Sequence, residues 1–392
     1  MKKSSLILII LLMMPFSIIG QTYSALWKKA AEAENKDLPQ TQMEILRQIV
    51  GKASKERVYG QLLKAALKAS QVQANIAPDS LKPAVEQLRQ RCDATDDIVL
   101  KTVWQTVLWQ IYQRIPSLLE HEDGQSLGLW PVLTPALCQQ LAQIKDESYA
   151  PFIVRGTDSK VFGYDLLSVV GYALEDYAPL SAWYEAAGNR QAACLTALEL
   201  LKKEHGETES YLRQLDSLVS RYEDLPEAGE IAIERYEAMS HWNDATTAER
   251  ADYVRQAIAR WGQCPHVKSL QNALKELTNP MFSLTLNSHI ALPERQQSVQ
   301  LTAVRNLESL KMKVYAVKAN GDFSVDPMDK AGYQKLKPLL TLLSDAGTEH
   351  SFAGLGRKDY ETFTDSMTLA ALPIGVYMLE LTSVPATQTV RR

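Results

Sequence analysis

The stretch LTNPMFSLTLN, residues 277–287, marks the point at which the periodicity of the chain changes. Before it, hydrophobic residues recur every three or four positions over about 250 residues, which is the spacing of amphipathic helices. Pro280 has no amide proton and disfavours helical geometry in the residue before it, so a helix ends here. After it, Phe282, Leu284 and Leu286 alternate with polar residues, as on one face of a strand. The chain therefore changes from helices to strands at this point.

The two patterns predict a multidomain α+β chain. An N-terminal α-helical repeat-like array is predicted over residues 21–279, and a C-terminal antiparallel β-sandwich over residues 280–392. The predicted helices lie at 23–35, around 46–53, at 62–72, 98–111, 135–144, 164–177, 190–203, 208–222, 227–240, 248–261 and 267–277. Short antiparallel helices joined by tight turns are typical of helical-repeat arrays, although no strict 34-residue period is visible here.

Strand-like alternation fills most of the C-terminal part. The predicted strands lie at 282–287, 297–304, 310–318, 348–353, 359–369 and 374–383, and a helix broken at Pro338 is predicted at 329–344. Six or seven short strands in about 110 residues fit a sandwich of immunoglobulin-like size. The run 310–318 is typical of a half-buried antiparallel strand, because its apolar residues and its lysines alternate.

Composition excludes several function classes. The chain has 392 residues, 46% of them hydrophobic and 22% charged, which indicates a globular protein and not a disordered one. Its net charge of −4 comes from 42 basic and 46 acidic residues, so it lacks the basic footprint of a nucleic-acid-binding protein. No run of like charge indicates a tail or a patch for anionic membranes. We therefore predict no nucleic-acid partner.

Residues 1–20 predict a signal peptide. Lys2 and Lys3 form its positive end, residues 6–19 form its apolar stretch, and Gly20 is the small residue before the cut, which leaves Gln21 at the mature end. An uncleaved membrane anchor is the alternative, but the apolar stretch is shorter than the ~18 residues that a spanning helix needs. No cysteine lies at the cut, which argues against a lipoprotein. The mature protein is expected in the periplasm or cell envelope, without a membrane span.

The four cysteines have two interpretations. Cys92, Cys138, Cys194 and Cys264 could form two disulfides in an oxidising compartment, with three alternative pairings. Alternatively, some are small core residues. Cys194 supports this second interpretation, because it lies at helical spacing with the apolar residues of 197–201. No two cysteines have the CxxC spacing of a metal or redox motif.

The motifs that resemble catalytic or metal sites lack their structural context. Residues 124–128 match the G-x-S-x-G pattern around Ser126, but a hydrolase nucleophile elbow needs a buried strand before it and a helix after it. An acidic loop precedes this motif, so a plain loop is predicted and an esterase is not. The acidic and histidine residues of 120–123 are adjacent on one loop and seldom converge on one ion. No HExxH motif is present.

The remaining candidate residues indicate structure and not chemistry. His205 and Gly206 are predicted to end a helix. The two glycines of 354–356 lack the third glycine of a dinucleotide-binding loop and predict a turn. Three histidines stand alone in the sequence without evident partners: His266, His289 and His350. We predict no catalytic residue, no cofactor-binding residue and no metal ligand.

Three stretches resemble the α-2-macroglobulin-like proteins that Bacteroidetes export. YSALWKK at 23–29, followed by KDLPQT at 36–41, resembles the start of these proteins, and SKVFGYDLL at 159–167 resembles the opening of a helix in them. LPIGVYMLEL at 372–381 is similar to the closing strand of a macroglobulin domain. Its mechanics agree, because Pro373 and Gly375 turn the chain, after which the residues at 377, 379 and 381 point to the core.

The resemblance implies a role in protease trapping. Members of the family carry a string of macroglobulin domains and a bait segment, and many add a thioester within a Cys-x-Glu-Gln motif. This sequence has no such motif; Cys138 is followed by two glutamines, the second of which, Gln140, falls one position short. No functional residue can therefore be transferred.

We expect a non-catalytic exported scaffold, the N-terminal portion of an α-2-macroglobulin-like protein. Its expected partners are other macroglobulin-like domains or envelope proteins, with proteases as targets of the complete assembly. The alternative is a free-standing envelope module whose helical array binds a protein segment or a glycan, since solenoids offer such surfaces.

Overall fold

The fold is given by a computed structural model. It describes residues 22–118, 130–206, 210–242, 245–286, 293–318, 325–353 and 360–392. The predicted fold class is confirmed: an N-terminal array of helices precedes C-terminal antiparallel β-sheets. The last helix of the array ends at Thr278 and the first strand begins at Met281, so the change from helix to strand falls at Pro280 as the sequence predicts.

The array in the described part of the chain contains thirteen α-helices. They are α1 Tyr23–Asn35, α2 Pro39–Glu56, α3 Tyr59–Ile76, α4 Leu81–Asp93, α5 Ile98–Arg114, α6 Pro135–Gln143, α7 Leu166–Leu174, α8 Tyr177–Ala186, α9 Arg190–His205, α10 Tyr211–Arg221, α11 Ala228–Trp242, α12 Thr247–Trp261 and α13 Val267–Thr278. Several of these helices are preceded by a residue whose side chain accepts a hydrogen bond from a backbone N–H of the first turn. Thr22, Asp97 and Thr246 are examples. Such caps satisfy donors that the helix cannot satisfy itself.

Three helices depart from the prediction. The predicted helix 164–177 is shorter in the structure, because Glu175 adopts left-handed geometry (φ 54°) and ends α7 at Leu174. Helices α4 and α8 lie in stretches for which no helix was predicted, apart from the first residue of α8. Pro83 is the third residue of α4, a position at which the backbone N–H has no partner within the helix, so proline is tolerated there.

The chain divides into two compact units, residues 1–203 and residues 204–392. In the first unit, α1 to α5 pack in chain order, each against the next. Two bonds also join α1 to α3: Trp27 Nε1 donates to Gln61 Oε1 over 2.6 Å, and Lys68 pairs with Glu34 over 2.7 Å. Each pair spans 34 positions. This spacing is that of a helix-pair repeat, which confirms the repeat-like character of the array.

The second unit contains α10 to α13 and all the described strands. The strands are β1 Met281–Thr285, β2 Gln297–Arg305, β3 Ser309–Val317, β4 Leu340–Leu342, β5 Thr348–Ser351, β6 Phe363–Leu369, β7 Tyr377–Val384 and β8 Thr389–Arg391; a short helix, α14 Lys330–Leu336, precedes β4. They form a three-stranded sheet, β1-β2-β6, and a five-stranded sheet, β4-β3-β7-β8 with β5 also on β3. All strand pairs are antiparallel.

Both sheets contribute to one hydrophobic core. Its fully buried side chains come from the first sheet (Phe282, Leu301, Val304) and from the second (Leu310, Val314, Leu381). The predicted helix 329–344 is wrong in its second half, because the α-helix ends at Leu336 and β4 follows at Leu340–Leu342. Strand β8 was not predicted, because three residues are too few to show a period. Pairing with β3 and β7 holds β4 and β8, so their structure depends on tertiary contacts and not on local sequence.

All four cysteines are buried thiols, and none forms a disulfide. The interpretation as core residues is therefore the correct one for this structure. Among the described residues, no helix has the length and hydropathy needed to cross a bilayer.

Candidate functional site

Several sequence candidates lie outside the described residues. They are the G-x-S-x-G motif around Ser126, the acidic residues and histidine of 120–123, His289, and the two glycines of 354–356. Helix α9 does end at His205, as predicted from the sequence. The candidate sites below are built from described residues alone.

His266 has a partner, contrary to the sequence interpretation. Its Nδ1 lies 2.9 Å from Oε1 of Glu230 on α11, and the Cys264 thiol donates to the same oxygen over 2.9 Å. Gly229 leaves room for this thiol, since a Cβ there would lie 2.5 Å from the Cβ of Cys264. Burial raises the pKa of Cys264 to about 12, so the thiol stays protonated. The cluster therefore joins α11 to the turn before α13 and offers no nucleophile.

His350 also has a partner. Its Nε2 lies 3.1 Å from Oδ2 of Asp365. His350 belongs to β5 of one sheet and Asp365 to β6 of the other, so the bond links the two sheets. The ring of Phe352 packs edge-on against the imidazole, with centroids 5.1 Å apart. Sequence reading missed this pair because no local pattern joins the two strands.

The segment between α6 and α7 holds most of the buried charge in the first unit. Asp165 caps α7: its carboxylate accepts the backbone N–H of Ser168 over 2.9 Å and the hydroxyl of Tyr184 over 2.9 and 3.0 Å. Asp165 belongs to the stretch 159–167, which resembles a helix opening, and it is the residue directly before α7. Burial raises the pKa of Asp165 above its ordinary value of 3.8, although these donors oppose the shift.

A second carboxylate in this segment is neutralised by an ion pair. Asp146 is 2% exposed, and its Oδ1 accepts a hydrogen bond from Nε of Arg155 over 2.7 Å. The guanidinium of Arg155 also stacks 4.5 Å from the ring centroid of Tyr164. Nearby, Tyr149 is buried against α3, where its backbone carbonyl lies close to Gly60. The ion pair and the stacked ring hold the segment in its own conformation, and the contact of Tyr149 with Gly60 packs it against α3.

Replacing Asp165 with asparagine should remove a pH dependence of stability. The folded chain holds the Asp165 proton more tightly than the unfolded chain, because its folded pKa is raised. The free energy of unfolding of the wild type, relative to Asp165→Asn, should therefore fall as the pH rises above 3.8 and level off above the folded pKa. The fall amounts to about 1.4 kcal/mol for each unit of the shift. Urea denaturation across this pH range measures it.

The exposed Asp93 provides the control for this measurement. Asp93→Asn removes an exposed carboxylate and leaves Asp165 in place. A plot of its free energy of unfolding against pH should therefore run parallel to that of the wild type. If the curves of Asp165→Asn and the wild type also ran parallel, the raised pKa of Asp165 would be contradicted.

A hydrogen-bonded joint connects the helices to the sheets within the second unit. Nδ2 of Asn306 donates to the backbone carbonyl of Thr278 over 2.7 Å, and Oδ1 accepts the N–H of Tyr360 over 3.2 Å. Arg305 donates to the carbonyls of Glu276 and Asn279 at the end of α13. The turn after β2 therefore caps the carbonyls that the last helix leaves without partners.

Tyr360 fastens the joint on its other side. Arg255 of α12 donates to the Tyr360 hydroxyl over 2.6 Å, and its guanidinium lies 5.2 Å from the ring centroid. Both Asn306 and Tyr360 have positive φ, 54° and 64°. Asparagine tolerates this geometry, whereas for tyrosine it is uncommon and persists only where contacts enforce it. The joint is thus held by specific side chains and not by the covalent linker alone.

The LPIGVY motif forms a local turn before β7. The Tyr377 hydroxyl donates to the backbone carbonyl of Pro373 over 2.9 Å. Tyr377 covers Gly375, where a Cβ would lie 3.0 Å from the Tyr377 hydroxyl oxygen and 3.1 Å from the nearest ring carbon. Leu379 and Leu381 follow in the core, as predicted. A tyrosine that bonds to the backbone a few residues upstream also occurs in immunoglobulin-like sandwiches, where it is called the tyrosine corner.

Removing the Tyr377 hydroxyl should weaken this corner. Tyr377→Phe loses one hydrogen bond and retains the ring, so the free energy of unfolding should fall by about 1 kcal/mol. Guanidinium denaturation measures the change. Tyr315→Phe is the matched control, because its hydroxyl makes a longer bond of 3.4 Å to Glu380 and its loss should cost less. Equal effects of the two substitutions would contradict a special role for the corner.

The described residues contain no group of three histidine, cysteine or acidic side chains able to hold a metal ion. Three buried polar groups among them are bonded to side chains: Asp165 to Tyr184 of α8, Asp146 to Arg155 within the segment between α6 and α7, and Cys264 to Glu230 of α11. The arrangement is suited to holding elements in fixed positions. The joint around Asn306 is the candidate functional site, since its hydrogen bonds connect α12 and α13 to the three-stranded sheet. Sequence reading did not single out any of its residues.

Comparisons of the chain with protein-family models, with curated proteins and with solved structures each gave no match.

Proposed function

We propose that the mature chain is a non-catalytic exported scaffold and the N-terminal portion of an α-2-macroglobulin-like protein. One observation carries the proposal: the LPIGVY motif, which resembles the closing strand of a macroglobulin domain, forms a tyrosine corner in a sandwich fastened to helices. The strand order supports it. With β1, β2 and β6 in one sheet and β3, β7 and β8 in the other, the connections follow those of an immunoglobulin-like sandwich.

The joint supports a mechanical role. Backbone carbonyls at the end of α13 are bonded to side chains of the turn after β2, and Arg255 of α12 is bonded to Tyr360 before β6. These contacts join two helices, α12 and α13, to the three-stranded sheet and so limit rotation of the sandwich about residues 279–280. A scaffold that positions further domains requires such rigidity, because a flexible linker would let the sandwich sample many orientations.

In this proposal the complete assembly acts as an endopeptidase inhibitor that traps proteases in the periplasm or cell envelope. The present chain contributes contact surfaces to other macroglobulin-like domains or envelope proteins. Its own residues carry out no bond-breaking step.

A pull-down tests the proposal. The mature chain, residues 21–392 with a C-terminal tag, is incubated with envelope extract, and the bound polypeptides are identified by mass spectrometry. A polypeptide with macroglobulin-like sandwich repeats is the expected partner. A defined peptide or glycan ligand instead would favour a free-standing binding module of the envelope.

The non-catalytic part of the proposal has a separate test. Purified chain and its Ser126→Ala variant are assayed with ester and peptide substrates, and neither is expected to hydrolyse them. A hydrolase activity that is present in the wild type and lost in Ser126→Ala would overturn it.

A further inference from the structure

A methionine sulfur accepts a backbone hydrogen bond at one edge of the five-stranded sheet. Strand β8 lies at the end of this sheet, and Arg392, directly after β8, exchanges both of its backbone hydrogen bonds with Leu379 of β7. Successive residues of a strand direct their backbone groups to opposite sides, so the N–H of Arg391 points away from β7. It donates to Sδ of Met328 over 3.1 Å. The thioether is thus the acceptor for the outward N–H of β8.

The side chain of Arg391 makes a second contact with the same segment of the chain. Its guanidinium lies 3.9 Å from the ring centroid of Tyr333, which belongs to α14. Its Nε donates to Oε2 of Glu380 on β7 over 2.7 Å, which fixes the guanidinium on the sheet. Segment 328–336, from the methionine to the end of α14, is therefore joined to β8 by one hydrogen bond and one stacked ring.

Met328 is the most exposed methionine among the described residues. The chain has ten methionines, three of which lie within residues 1–20, and the structure describes the other seven. Met328 is 45% exposed, and Met281 is partly buried. The other five are between 2% and 6% exposed: Met43, Met239, Met312, Met367 and Met378. An oxidant dissolved in water therefore has the best access to Met328.

Met239 has a similar hydrogen bond without the exposure. Its Sδ accepts a hydrogen bond from Nη1 of Arg235 over 3.1 Å, but the residue is only 5% exposed. Oxidation of a thioether requires that the oxidant reach the sulfur. The two methionines therefore separate the effect of exposure from the effect of hydrogen bonding to sulfur.

Oxidation of Met328 would remove the acceptor that Arg391 uses. A sulfur lone pair attacks one oxygen of hydrogen peroxide; the S–O bond forms, the O–O bond breaks, and the second oxygen leaves as water with the proton of the first. The thioether gives up two electrons and becomes a sulfoxide. An oxygen on the lone pair that faces Arg391 would force the sulfur away from the N–H. An oxygen on the other lone pair would withdraw electron density and leave a poorer acceptor.

From these observations we propose that Met328 is an oxidation site that controls how firmly segment 328–336 is held on β8. The thioether holds the segment, and the sulfoxide releases it. Enzymatic reduction of the sulfoxide restores the thioether, so the change is reversible. This inference does not rest on the proposed scaffold role, and either can fail without the other.

Peptide mapping tests the site. The mature chain is treated with hydrogen peroxide, and the sulfoxide at each methionine is followed over time by mass spectrometry. Met328 should be oxidised at least ~10-fold faster than Met239, because a buried sulfur reacts only when the chain opens locally. Equal rates at Met328 and Met239 would overturn the proposal.

Hydrogen exchange tests the release. In the chain oxidised at Met328, the Arg391 amide should exchange at least ~5-fold faster, the factor that corresponds to one net hydrogen bond. The amides of segment 328–336 should also exchange faster. Treatment with methionine sulfoxide reductase should return both rates to those of the untreated chain. Unchanged or slower exchange at Arg391 after oxidation would overturn the proposal, since the sulfoxide would then hold the segment as well as the thioether does.

Two leucine variants show which sulfur is responsible. Met328→Leu keeps an apolar side chain but has no sulfur, so its exchange rates should not respond to peroxide. Met281→Leu is the matched control: it removes the partly buried methionine, retains Met328 and should respond as the wild type does. A response to peroxide that persists in Met328→Leu would overturn the proposal, because the oxidised group would then lie elsewhere.

Discussion

Gly60→Ala is expected to lower the free energy of unfolding by about 3 kcal/mol, at the upper end of overpacking effects. A Cβ at Gly60 on α3 would lie 2.2 Å from the backbone carbonyl oxygen of Tyr149 and 2.3 Å from that of Ala150. Backbone atoms cannot rotate away as a side chain can, so the segment between α6 and α7 must move off α3. The Asp146–Arg155 ion pair makes that segment rigid, and Asp165 bonds its end to α7 and α8, so such movement is costly.

Gly51→Ala is the matched control and has the opposite sign. Gly51 lies within α2, and a Cβ added there would meet no atom within 4 Å. Alanine in a helix interior is favoured over glycine by about 0.5–1 kcal/mol. Urea denaturation of the two variants measures both effects. Stabilisation by Gly60→Ala would contradict the close approach of Tyr149 to α3.

Asn306→Ala is expected to destabilise the second unit by about 2 kcal/mol. Alanine lacks the side chain that bonds to Thr278 and Tyr360, and the loss of this bonding costs about 1 kcal/mol. Alanine must also adopt the positive φ of 54°, at a further cost of about 1 kcal/mol. Asn306→Gly removes the side chain but tolerates this backbone geometry, so it should cost only about 1 kcal/mol.

The difference between these two variants separates backbone strain from hydrogen bonding. Guanidinium unfolding gives the free energies, and hydrogen exchange shows whether α13 and β2 open together. In the wild type their amides should exchange with the same opening free energy, and in Asn306→Ala those of α13 should exchange faster. Identical stabilities of Asn306→Ala and the wild type would mean that the joint does not hold the two elements together.

The features that the sequence predicted correctly are those encoded by neighbouring residues. Helix α1 was predicted with its observed bounds, because Leu26, Trp27 and Ala30 lie at helical spacing. The end of the array at Pro280 and the core positions Leu379 and Leu381 were predicted for the same kind of reason. The turn before β7 could be predicted from proline, glycine and tyrosine at fixed offsets, since the bond from the Tyr377 hydroxyl to the Pro373 carbonyl spans four residues.

The features that were missed depend on residues far apart in the chain. Asn306 caps a carbonyl 28 positions earlier, and Gly60 accommodates a backbone nearly ninety positions later, so no window of sequence contains either contact. His350 looked isolated because its partner belongs to a strand of the other sheet. Asn306 alone gave a weak signal, since asparagine tolerates left-handed geometry. Nothing in the sequence indicated that a helix end lay beside it.

The reactivity of the four buried thiols can be used to measure local unfolding of the chain. Alkylating reagents react with thiolates, and burial raises the pKa of Cys92 to about 11 and that of Cys264 to about 12, so both are protected while the chain is folded. Cys92 and Cys138 lie in the first unit, whereas Cys264 lies in the second. Alkylation at each position, followed over time by mass spectrometry, would show which unit opens first without the introduction of any label.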